Sequence, residues 1–290
     1  MVFLIRILSL LPLRALYLLG DGLLYPLMVY VVRYRRGIVA KNLRNAFPEK
    51  SKEELKTLER KFYHHFTDVI AEIIWSYRAT YEEMEQHYLI ENLDDVEQWV
   101  HEKGGLFFLL GHFGNWEWTA EVQNRYRDRN IRHYNVYRRL KNKGADKAMA
   151  QLREKRSGAG SGIEKNDLVR TLIHLRQSGV CYSLGLISDQ KVSPQNAYHW
   201  TTFLHQETSF LGGGEVLAKK FDKAVCYVHT TQLSRGVYSV RTVLISDTPA
   251  NTAEGEITEQ FARLLEQNII EQPELWLWSH NRWKWKRNDR

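Results

Sequence analysis

The stretch Leu106–Trp118, LFFLLGHFGNWEW, constrains the fold of this chain more than any other. Five consecutive apolar residues, Leu106 to Leu110, have the length of a strand buried on both faces. The run breaks at Gly111 and presents His112, followed by Gly114, Asn115, Trp116 and Glu117. Asn115 is a good N-cap for a helix continuing through Trp118, Ala120 and Val122. The stretch reads as strand, tight turn, helix. His112 then sits at the strand's C-terminal end, where open α/β sheets place their ligands.

That placement gives His112 and Glu117 a chemistry. Across a turn into a helix the two side chains can meet, and a carboxylate in a helix's first turn is favoured by the helix dipole. Bonded to one ring nitrogen, Glu117 would fix the tautomer and stabilise the imidazolium. The other nitrogen would be free to take a proton from a hydroxyl. The resulting alkoxide could attack a thioester carbonyl, with backbone N–H groups around Gly111–Gly114 holding the oxyanion. The same residues also describe a structural histidine in a packed turn, and the pair alone does not choose between the two.

The N-terminal 32 residues are strongly apolar, interrupted by Arg6, Arg14, Asp21, Pro12 and Pro26. No signal-peptide cleavage site is evident. The segment is expected to attach to a membrane, either spanning once or lying in the interface as broken amphipathic helices. Asp21 disfavours the span. Arg33, Arg35, Arg36, Lys41 and Arg44 follow as a basic flank suited to lipid headgroups and, by the positive-inside rule, to the cytoplasmic side. The formal charge of +7 points the same way, toward phospholipid, an acidic carrier protein or nucleic acid. Cys181 and Cys226 lie in apolar strand-like runs and read as buried free thiols, as in a reducing cytosol. No HExxH or Cys/His cluster occurs, so neither a metal nor another cofactor is expected. With no linker, repeat or low-complexity run, residues 49–290 read as one domain behind a membrane-associated segment, 1–48.

Ser51–Glu54 is a capping box opening a long helix striped by Leu55, Leu58, Phe62, Phe66, Ile70 and Ile74, with His64 and His65 partly exposed on it. Strands are expected at His87–Ile90, Arg132–Tyr137 and Val180–Ile187, and as a hairpin, Ala224–Thr231 with Tyr238–Ile245. Helices are expected from Leu93, over Asn142–Arg156, from Asn166 or Asp167 to Gln177, from Gly212 to Lys220 and over Thr252–Glu271. The pattern from Val192 to Thr202 is loose. Arg138, Arg153 and Arg156 suit phosphate groups, or alternatively a solvated basic face. Asp189 suits a polar head or an Asx-type turn. The tail Trp276–Arg287 alternates aromatic and basic residues, as interfacial belts do, with nucleic-acid stacking or structural packing as the rivals.

Taken in order, these motifs resemble one family. GHFGNWE is similar to the H-x4-E signature of the bacterial lipid A biosynthesis acyltransferases, the late lauroyl/myristoyl transferases. Arg33-Tyr34-Arg35-Arg36, Asn42-Leu43 with Ala46-Phe47-Pro48-Glu49, Tyr137-Arg138, Arg153 and Arg156, Asp189-Gln190, Phe203 with Gly212 and Ala218, and the Pro273–Lys284 tail resemble its other blocks. The resemblance implies a glycerolipid-acyltransferase-like α/β domain with a central mixed sheet flanked by helices. It implies acyl-carrier-protein as thioester donor, with acyl-CoA possible, and a lipid A precursor as acceptor at the cytoplasmic face of the inner membrane. His112 and Glu117 are the expected catalytic pair. Gly114, Asn115, Arg138, Arg153, Arg156, Asp189 and Gln190 are the expected substrate-binding residues. With no nucleophile motif, transfer is expected to be direct. Another lipid acceptor (lysophospholipid, mannolipid or aminolipid) would use the same pair. A catalytically inactive module binding membrane or nucleic acid is the remote alternative.

Overall fold

The computed structural model describes residues 2–126, 128, 130–139 and 142–289. Its α-helices and strands follow in chain order as α1 (Val2–Leu8), α2 (Leu13–Leu19), α3 (Arg36–Ala46), α4 (Lys52–Ser76), α5 (Tyr81–His87), β1 (Tyr88–Ile90), α6 (Leu93–Lys103) and β2 (Gly105–Leu110). Then come α7 (Val122–Arg125), β3 (Arg132–Tyr137), α8 (Lys143–Ser157), β4 (Gly162–Glu164), α9 (Leu168–Ser178) and β5 (Tyr182–Ile187). The chain closes with β6 (His199–Phe203), β7 (Gln206–Phe210), α10 (Gly213–Phe221), β8 (Ala224–Ser234), β9 (Val237–Ser246) and α11 (Glu256–Glu271).

Seven strands form one mixed sheet in the order β1-β9-β8-β2-β5-β3-β4. Strand β2 is central and pairs in parallel with both β5 and β8, and among the described residues the one antiparallel pair in this sheet is the β8–β9 hairpin. All six residues of β2 are buried, as its unbroken apolar run requires. Its side chains alternate between two cores. Phe107 and Leu109 pack with α9, α11 and Val39, Leu43 and Phe47 of the N-terminal region. Leu106, Phe108 and Leu110 pack with α6, Trp75, Trp118 and Leu13 and Leu16 of α2. The result is an α/β domain with helices on both faces. The loose stretch after Val192 hides a two-stranded antiparallel hairpin, β6–β7.

α4 begins at the expected capping box, with Ser51 Oγ and the Glu54 carboxylate each bonded to the other's backbone N–H. His64 is partly exposed and stacks on Tyr25 with ring centres 3.9 Å apart, whereas His65 is buried, contrary to the sequence reading. It turns inward because α2 and the β8–β9 hairpin cover the face of α4 that the amphipathic stripe leaves polar.

The N-terminal segment is broken. After α2 the chain winds more widely over Gly20–Leu24 and Leu27–Val31, with i→i+5 hydrogen bonds. Among the described residues no single helix is long and apolar enough to cross a membrane; Leu13–Val31 and Arg36–Ala46 qualify only together, bent by 87°. Phe3, Leu10, Leu18, Leu23, Val31 and Val32 are exposed.

Candidate active site

Strand register builds the site. β2 and β5 run parallel with Leu110 opposite Ile187, and the ladder continues as the Ser188 N–H donates to the Leu110 carbonyl at 2.8 Å. Just beyond, His112 and Asp189 meet. His112 Nδ1 lies 2.6 Å from Asp189 Oδ1, and the His112 backbone N–H donates to Oδ2 at 2.8 Å. The Trp276 indole N–H donates to the same Oδ2 at 2.9 Å. Facing a carboxylate, Nδ1 carries the proton, so the lone pair is on Nε2. Gln190 Nε2 stands 3.5 Å from that nitrogen, too far for a strong bond.

The electrostatics suit a base. Burial alone would lower the His112 pKa, but the Asp189 charge and hydrogen bond, with the Glu117 charge adding, carry it above its ordinary value. Burial likewise pushes Asp189 up, and the His112 charge, the ring and backbone N–H groups and Trp276 hold it well below the usual carboxylate range. The pair is an imidazole backed by a carboxylate that stays ionised.

Glu117 is not the residue bonded to His112, and here the sequence reading is corrected. Arg153 of α8 grips it in a fork, Nη2 to Oε1 at 2.9 Å and Nε to Oε2 at 3.1 Å. The segment after the turn is a tighter 3-10 helix, Trp116–Glu121, rather than the expected α-helix. Asn115 does not cap it; the Asn115 amide, buried, donates to Glu72 at 2.9 Å.

Residues 275–278 close the turn from below. The Gly114 N–H donates to the Leu275 carbonyl at 3.0 Å, and the Leu277 N–H donates to the His112 carbonyl at 3.1 Å. The amides of His112 and Gly114 are therefore engaged within the protein, which corrects their reading as oxyanion donors. Gly114 has φ of 57°, and a Cβ there would meet Thr230 Cγ2 at 3.0 Å, so glycine is required.

Among known families, the model described as bacterial lipid A biosynthesis acyltransferase matches residues 1–285. The chain belongs to that family. No curated protein matches it.

In this acyltransferase the arginines take different roles. Arg138, just past β3, is exposed. Arg153 is spent on Glu117 and lies 5.5 Å from the centre of the Tyr137 ring. Arg156 does not face substrate. It is 3% exposed, ion-paired to the buried Glu121 at 3.1 Å, and donates to the carbonyls of Ser76 and Ala79. A guanidinium with five donors can tie the end of α8 to the end of α4 in this way.

The lipid A acyltransferase also uses residues that the sequence reading passed over or assigned elsewhere. Trp276 and Trp278 are 2% and 0% exposed, so this part of the tail is packed core and not an interfacial belt. Trp276 reaches Asp189 because Phe113 and Trp276 form an antiparallel bridge. His280 is near Asp189 and His112, with burial lowering it to about 4, so it is neutral at pH 7. The buried Arg282 donates to the Ser209 carbonyl and lies 4.7 Å from the Phe210 ring centre. The one available signal was the density of Trp, His and Arg over 276–284, which suits a satisfied polar core as well as a membrane surface.

Proposed function

We propose that this acyltransferase moves a fatty acyl chain from the thioester of acyl-carrier-protein to a hydroxyl of a lipid A precursor, the hydroxyl being that of a 3-hydroxyacyl chain. The reaction takes place at the cytoplasmic face of the inner membrane. His112 Nε2 takes the hydroxyl proton as the oxygen attacks the thioester carbonyl carbon. The C–S bond breaks, and His112 returns the proton to the leaving thiolate. Asp189 takes over the role first assigned to Glu117. It fixes the tautomer and stabilises the imidazolium. Transfer is direct, since the base acts on the acceptor itself and, among the described residues, no serine or cysteine nucleophile adjoins it.

The observation that carries this reading is the 2.6 Å contact between His112 and Asp189 at the C-terminal edge of the parallel strands. Glu117, ion-paired to Arg153, lines a small crevice near the base, with Leu110, Trp116, Val136 and Ile187 as its apolar side and Thr119 and Asn135 as further polar lining. The exposed leucines and valines of residues 3–32, next to Arg33, Arg35 and Arg36, support attachment to an anionic bilayer.

The test gives purified protein labelled acyl-carrier-protein or, separately, acyl-CoA, with a tetra-acylated lipid A precursor in a total lipid extract. A mass gain of one acyl chain on the precursor, lost in His112→Ala, is expected. Gain on a phospholipid or aminolipid instead would overturn the acceptor and keep the chemistry. Full turnover by His112→Ala would sink the mechanism.

A further inference from the structure

Among the polar side chains that α4 buries, His65, Asp68 and Glu72 lie along one line. At spacings of three and seven they share a helix face. Glu72 is 0% exposed and is the centre of a closed set of hydrogen bonds. It accepts from Tyr17 Oη at 2.9 Å, Asn115 Nδ2 at 2.9 Å and Tyr238 Oη at 3.0 Å. One donor belongs to α2, one to the catalytic turn three residues past His112, and one to β9. A carboxylate this deep persists only while donors surround it.

The neighbouring contacts clamp α2 to the same place. Arg235, at the β8–β9 turn, donates to Asp68 and, at 2.9 Å, to Asp21, and lies 4.2 Å from the centre of the Tyr17 ring. Gly236 approaches so closely that a Cβ on it would fall 2.2 Å from Tyr17 Oη. The ring of His65 is buried against the turn, toward the Gly114 backbone. Yet the next residue after Tyr17, Leu18, is 73% exposed, and Leu23 is 64% exposed. One short segment thus has an inner polar link to the catalytic turn, through Glu72, and an outer apolar face.

We propose that Glu72 is a positioning residue that couples the seating of residues 13–31 to the geometry of the turn carrying His112. When the segment is seated, the Tyr17 hydroxyl completes the Glu72 shell, and the second carboxylate oxygen holds Asn115. When the segment lifts, the buried carboxylate loses a donor and its remaining bonds, including the one to Asn115, rearrange. Acyl transfer is then tied to the state of the membrane-facing segment. This rests on the proposed membrane attachment and acyl transfer.

The test is Tyr17→Phe in the full chain on phosphatidylethanolamine/phosphatidylglycerol vesicles. The change removes one oxygen and keeps the ring. The turnover number should fall about tenfold, the scale of one hydrogen bond to a charged group, with KM for donor and acceptor unchanged. Amide exchange over residues 112–118 should quicken by about the same factor. Glu72→Gln should lower turnover as well, and adding Tyr17→Phe to it should cost little more. Tyr77→Phe, which removes a hydroxyl bonded to Gln151 at 2.8 Å just past the C-terminus of α4 and outside the Glu72 shell, should change neither reading. Wild-type exchange over 112–118 in Tyr17→Phe would overturn the proposal, even if turnover fell through weaker vesicle binding. Exchange needs no substrate, so that result is distinguishable from failure of the proposed function, which would show as wild-type protein that transfers no acyl chain.

Discussion

His112 and Asp189 each lie two residues beyond the last paired residues of neighbouring parallel strands, Leu110 and Ile187, and strand register brings them to 2.6 Å. A parallel pair ends level, so two loops that leave it together present equivalent positions to each other. The contact is thus an extension of the sheet.

Asp189→Asn should reduce turnover by about 10²- to 10⁴-fold, the scale of lost base catalysis. It should also move the pH profile. Asp189 favours the charged imidazole, so the wild-type acid limb should lie above about 6.5, the ordinary histidine value. Without that carboxylate the limb should shift to lower pH. Glu117→Gln leaves the His112–Asp189 bond in place and should shift the limb less. A Glu117→Gln profile that moves further than that of Asp189→Asn would restore Glu117 as the partner. Steady-state rates from pH 5 to 9 decide.

Glu117 and Arg153 should behave as a pair in stability. Their side chains are 12% and 18% exposed. Arg153→Met strands a carboxylate and should destabilise more than Arg153→Met with Glu117→Gln, giving a coupling of about 1–3 kcal/mol. Urea unfolding of the four proteins measures it, and additive losses would show that the fork is not held in solution.

Arg156→Met should cost about 3–5 kcal/mol, because it leaves the buried Glu121 without its cation. A loss of acceptor affinity with unchanged stability would instead return Arg156 to the substrate site. Denaturation midpoints and acceptor KM, measured together, separate the two.

Glu72 should make stability depend on pH. Burial raises it from 4.5 to about 7, against the hydrogen bonds from Asn115, Tyr17 and Tyr238. The folded protein keeps this proton where the unfolded chain releases it. The group's contribution is therefore full below 4.5 and is lost as pH rises to about 7, a change on the order of 3 kcal/mol. Glu72→Gln should flatten this part of the stability curve. An identical curve in the variant would place the Glu72 pKa near that of the unfolded chain.

Leu18→Asp and Leu23→Asp should each weaken vesicle binding by about 10- to 100-fold, the worth of one leucine removed from an apolar phase. Co-sedimentation reads this directly. Unchanged binding in both would move the membrane contact elsewhere.

Local patterns were legible in the sequence where one residue's environment is set by its near neighbours. The β2 run, the α4 capping box, the β8–β9 hairpin and the edge of the sheet that carries the site all followed from spacing. The partner of His112 did not. Asp189 is 77 positions away, and only the pairing of β2 with β5 joins them, whereas Glu117 was near in sequence and chemically plausible. Arg153 then claimed Glu117 from a third element. The tail misled for a related reason. Alternating Trp with Arg and Lys looks like a bilayer boundary, but Trp276 and Trp278 each find a hydrogen-bond acceptor inside the fold, which lets an indole be buried. His65 read as partly exposed because the elements that cover it, α2 and the β8–β9 turn, come from distant parts of the chain.

The bridge between Phe113 and Trp276 has a consequence for the order of events during synthesis. A ribosome releases residues 13–46 long before residues 275–283 exist, and domains form as their parts emerge. Until Leu275 and Trp276 arrive, the Gly114 amide and Asp189 lack partners they have in the finished protein. Under the proposed function, the apolar leading segment therefore reaches a bilayer while the proposed hydroxyl-activating site is still unformed, and the nascent protein finds its surface before it can act on anything.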